Sequence, residues 1–83
     1  MAKNVPASFQ DLKKRAVERI QNGDRDVRAN IIEMGDAMLE AGVEAKTAQD
    51  RLAQQAWKAS GPKDKEVLAG MVEKMAKDEA ELS

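Results

Sequence analysis

"AGVEAKTAQDRLAQQAW", residues 41–57, fits two different structures. One is the turn and second helix of a helix-turn-helix DNA reader. The other is a plain junction between two packed helices. In the first, residues 37–57 carry the motif: Ala41-Gly42-Val43 makes the turn and Thr47 opens the recognition helix. Gln49, Asp50, Arg51 and Gln54 are then the base-reading surface, with Lys46 on phosphate. Two positions argue against it. Met38 stands one turn before Gly42, where the helix crossing takes Ala. The inward hydrophobe, Leu52, arrives one residue late and leaves Arg51 where an apolar side chain is expected. In the second structure Gly42 stops one helix and Val43 folds back on Met38. Thr47 caps the next helix with Asp50 three residues on, and Ala48, Leu52, Ala53, Ala56 and Trp57 mark its buried side. The junction is the expectation, with the DNA reader as the alternative.

Working outward, the pattern stays helical. Phe9, Leu12, Ala16 and Ile20 are spaced 3, 4 and 4 apart, behind Ser8 as N-cap and Asp11 as its capping-box partner. Asn22-Gly23 ends that helix. The second helix begins near Arg25, with Asp24 or Asp26 favourable at its positive end. Val27, Ile31, Met34, Met38 and Ala41 then form a 4, 3, 4, 3 seam, widened by Ile32 and Leu39. After the third helix, Gly61-Pro62 is a break. The fourth follows with Val67, Leu68, Met71, Val72 and Met75 inward. No period-2 alternation suggests a strand. The expected fold is all-α, a compact bundle of four short helices in one domain spanning 1–83. Its ordered core covers about 8–77, and the charged tail "AKDEAELS" frays.

Composition narrows the functions. The 83 residues hold no Cys and no His, which excludes disulfides and Cys/His zinc sites. Of the apolar residues, fourteen are Ala and only Phe9 and Trp57 are aromatic. So thin a core often finds a partner, and a homodimer is one way to do so. No apolar run exceeds three residues, which argues against a membrane span. "MAKNVPASFQ" lacks the apolar segment of a secretory signal, leaving the cytoplasm as the expected compartment. Net charge is −1; residues 1–28 carry seven basic and four acidic groups, and residues 29–83 carry seven and eleven. A phosphate-binding domain shows a stronger basic excess, so nucleic acid is disfavoured.

Catalytic chemistry is hard to build from this set. Without His, Cys or Tyr, no ordinary general base or activated nucleophile is at hand, and Ser8, Thr47 and Ser60 sit where helix caps explain them. Glu33, Asp36 and Glu40 share a helix face that is read as solvated rather than as a cation site. "DRDVRANIIEMG" (24–35) fails as a calcium loop, having Ala29 where the turn needs Gly and Gly35 where a Glu ligand is needed. "SGPKDK" (60–65) lacks phosphate-loop spacing. No enzyme, metal or cofactor is expected.

Two features remain. Met34/Met38 and Met71/Met75 are i, i+4 pairs on two helices. Flexible thioethers suit core filling, the plainer use, and they also suit an adaptable partner surface. Gly35 inside a helix costs ~1 kcal/mol relative to Ala. Close packing is expected there rather than a hinge, since nothing nearby marks a kink.

The strings "FQDLK", "IIEMGDAML", "GVEAKTAQDRLAQQAW" and "LAGMVEKMA" resemble the YmfJ-like family of small Firmicute proteins, a domain of unknown function. Gly35, Asp36 and Leu39 match its helix-two pattern; Asp50, Arg51, Leu52 and Trp57 match its acidic-Arg-Leu run to a Trp; Ala69, Met71 and Lys74 match its close. The likeness covers roughly residues 9–77. Glu44-Ala45 departs from the family's Asp-Pro, and Ala56 from its Leu. The resemblance implies a small bacterial four-helix protein and brings no activity, cofactor or catalytic residue. The expected function is a non-enzymatic helical interaction or oligomerisation module with an unidentified protein partner.

Overall fold

Helix α1 (Phe9–Gln21) starts at Ser8, whose hydroxyl accepts the Asp11 N–H at 3.1 Å. Asp11 Oδ2 returns a bond to the N–H of Ala7 (2.9 Å), one residue earlier than a standard capping box. The helix closes at Gly23 (φ +82°). Gly23 N–H reaches Ile20 O and Asp24 N–H reaches Arg19 O, a pair that satisfies two otherwise orphaned carbonyls. Helix α2 (Val27–Ala41) begins two residues later than the sequence suggests, and Asp26 at its N-cap makes no side-chain capping bond. It ends in the same 5→2 and 6→1 pattern at Gly42 (φ +67°), with Val43 N–H on Met38 O at 3.1 Å. Helix α3 (Ala48–Ala59) is capped by Thr47, whose Oγ1 accepts the Asp50 N–H at 3.0 Å. Pro62 does not lie in a break. It is the first residue of helix α4 (Pro62–Leu82), where its fixed φ helps and its missing N–H is not needed.

This computed structural model describes residues 5–82, and among them there is no strand: the chain is an all-α bundle of four helices. Residues 1–4, part of the stretch read for a leader, and Ser83 of the tail lie outside the described residues. Among the described residues, no helix is long and apolar enough to cross a membrane.

The bundle is uneven. Helices α1, α2 and α4 pack on one another, while α3 touches α1 and α2 at few points and has no buried residue. The core comprises Leu12, Ala16, Val27, Ile31, Met34, Ala69 and Ala76. The Arg28–Glu73 and Lys65–Asp36 pairs set α2 antiparallel to α4. On α4 the sequence reading is corrected. Its inward stripe is Ala69, Val72 and Ala76, while Val67 and Met71 face outward and Met75 is partly open. Small Ala side chains let α4 lie close to its neighbours, which turns the bulkier residues toward α3 and solvent. The tail does not fray at 77. Ala76 is fully buried, Lys13 pairs with Glu79 at 3.1 Å, and the helix continues to Leu82.

Candidate functional site

Helix α3 is held through three of its side chains, Trp57, Asp50 and Gln54. Gly35 on α2 has no side chain, and a Cβ there would lie 2.6 Å from Trp57 Cε2. Gly35 therefore serves close packing, and the Trp57 ring rests on the α2 backbone. Trp57 Nε1–H donates to Asp36 Oδ1 at 3.0 Å, giving the half-buried indole its polar partner. Lys65 on α4 donates to the same oxygen at 2.7 Å and lies 5.4 Å from the indole centroid, within cation–π reach. At the other end of α3, Asp50 Oδ1 accepts the N–H of Phe9 (3.1 Å), the first residue of α1. An acidic group thus meets the positive end of a neighbouring helix and satisfies one of its orphan donors. Finally, Gln54 Nε2 donates to Val43 O at 2.6 Å.

These contacts leave a void between them. An apolar groove of about 250 Å³ runs under α3, floored by Leu12, Ile31 and Met38 and flanked by Trp57, Leu68 and Met71. Two of its lining residues are open to solvent, Met71 at 58% and Met75 at 39%, and Leu52 (70%) and Val67 (63%) are exposed on α3 and α4 as well. Leu52 was expected on the buried side of α3 and is not there. The helix is turned so that Ala53 and Trp57 approach the body, and the ties of Asp50 to Phe9 and of Gln54 to Val43 fix that rotation.

The four candidate methionines separate. Met34 lies in the core and belongs to no surface, a correction to its place in the candidate partner set. Met38 is half-buried in the groove floor, and Met71 and Met75 line its mouth. Core filling accounts for Met34 and fails for Met71. Of the six candidate DNA-reading residues, Thr47, Asp50 and Gln54 are committed to the caps and ties above. Lys46, Gln49 and Arg51 are exposed.

Electrostatics follow the same geometry. The Lys65 ammonium bond holds the Asp36 carboxyl below the ordinary value of 3.8, against the opposing pull of desolvation and with help from the Trp57 N–H. The Ala7 N–H lowers Asp11 in the same way, opposed by desolvation and assisted by Arg15. Glu33 and Glu40, which share the helix face of Asp36, are exposed. No three acidic groups among the described residues converge as a metal site would need. The Asp36–Trp57–Lys65 cluster is not among the expectations drawn from the sequence. Its signal was present: an acid next to a helical Gly, and a lone Trp whose N–H needs an acceptor. Comparison with protein-family models, curated proteins and solved structures finds no match to this chain.

Proposed function

We propose that this chain is a non-enzymatic helical interaction module that takes an apolar helical face into the groove between α3 and α4. One observation carries this reading: an open apolar groove whose mouth displays Met71 and Met75 rather than burying them. Exposed apolar patches rimmed by polar residues mark contact sites, and thioethers repack around different partners at small cost. Amphipathic helices bind such grooves through anchors at i, i+3, i+4 and i+7. The absence of His, Cys and Tyr supports the non-enzymatic part. Commitment of Thr47, Asp50 and Gln54 to internal contacts favours protein over DNA. The resemblance to the YmfJ-like family fits a small module of this kind and adds no activity to it.

Peptide display against the full chain tests this, with the double variant Met71→Lys/Met75→Lys as counter-selection. Helical sequences with apolar anchors at those spacings should be enriched and should lose binding to the variant. Methyl NMR should place them by moving the Met38, Met71 and Met75 signals ahead of Met34. Enriched peptides that bind the variant equally would exclude the groove.

A further inference from the structure

We infer that the occupant of the groove is a second copy of this chain, docked through the outer face of α4 in a two-fold contact. This rests on the interaction-module reading and names its partner.

Three observations lead to it. The first is self-complementarity. Met71 and Met75 project beside the groove they help to line, so one surface carries both knobs and hole. A two-fold axis beside α4 places the methionines of each copy at the groove of the other, which closes the assembly at two subunits. The second is exposed apolar surface. Val67, Met71 and Met75, at i, i+4 and i+8 on α4, are 63%, 58% and 39% exposed, an apolar stripe of the kind that marks a contact face.

The third is charge. Lys74 stands between Met71 and Met75 in sequence, is exposed, and makes no ion pair among the described residues. Glu44, at the groove wall, is likewise exposed and unpaired among them. In a two-fold contact Lys74 of each copy faces Glu44 of the other, giving two equivalent pairs at the rim. With a net charge of −1 per chain, two copies scarcely repel.

Sedimentation equilibrium of the full chain, from low micromolar to millimolar concentration, tests the inference. The wild type should fit a monomer–dimer equilibrium. Met71→Lys/Met75→Lys should weaken it about a hundredfold while the helical circular dichroism is retained. Lys74→Glu alone and Glu44→Lys alone should each weaken it roughly fivefold. Mixing those two variants should restore association, because each then supplies the charge the other needs. A wild type that stays monomeric at millimolar concentration overturns the second copy as occupant. The interaction-module reading would survive that result if display still enriched groove-dependent peptides. A dimer indifferent to the methionine variant overturns the surface, and a charge mixture that fails to restore association overturns the two-fold pairing.

Discussion

Helices α1, α2 and α4 meet through side chains that water does not reach, Ala16, Ala69 and Ala76 among them, whereas α3 rests on the same body through one indole and a few polar ties. Both regions are regular helix with good caps, so local propensity does not distinguish them. What differs is how each is attached. Burial of Ile31 and Leu12 contributes on the order of 1.5–3 kcal/mol per side chain, while an exposed or half-exposed polar tie contributes about 0.5–1.5 kcal/mol. Capping thus decides where a helix runs, and buried area decides how firmly it stays. Helix α3 is well defined and weakly held.

The largest test of this contrast is in the core. Ile31→Ala should cost about 2–5 kcal/mol in urea unfolding, loosening all four helices in one transition. A loss below about 1 kcal/mol would mean that the core carries less than its burial implies.

Gly35→Ala comes next. Its Cβ meets the Trp57 ring, so ~1 kcal/mol gained in helix propensity is set against about 1–3 kcal/mol of overpacking. Stability should fall by roughly 1 kcal/mol, with red-shifted Trp57 emission as the indole is pushed into water. If the variant were instead stabilised with unchanged emission, the indole would not rest on Gly35.

A smaller effect follows from pH. The folded-state pKa of Asp36 lies below its ordinary 3.8, so its contribution is complete above that value and is lost as pH falls through the depressed one. Trp57 emission should therefore shift red below pH 3.8 while helical circular dichroism changes later. Asp36→Asn should abolish the acid dependence of that shift. The Asp11 carboxyl is also lowered, but by the Ala7 N–H and Arg15 rather than by Lys65 or the indole, so its protonation should leave the Trp57 signal alone. The smallest effect belongs to Leu52→Ala. At 70% exposure the side chain has little burial to lose, and unfolding free energy should change by less than about 0.5 kcal/mol.

Much of the fold was legible in the sequence because its signals are local. Ser8, Thr47, Gly23 and Gly42 set the helix ends through bonds within a few residues, and the 3, 4, 4 spacing of α1 located its core face. The site was only half legible. Inward faces were assigned by side-chain size, which favoured Met71, Met75 and Leu52 over Ala69 and Ala76. Rotation of α4 depends instead on how closely the backbones approach, and that is a property of three helices together. Asp50 and Gln54 could stand in the DNA-reading alternative because their partners, Phe9 and Val43, become visible only once α3 is docked.

Hydrogen exchange in native conditions, resolved by amide, tests the central claim most directly. Amides in the second half of α3, around Ala56 and Trp57, should exchange through a local opening of lower free energy than those around Ile31 and Ala69, with Trp57 losing its contact in the same event. Exchange of α3 amides only by global unfolding, at the same free energy as Ile31, would contradict the account.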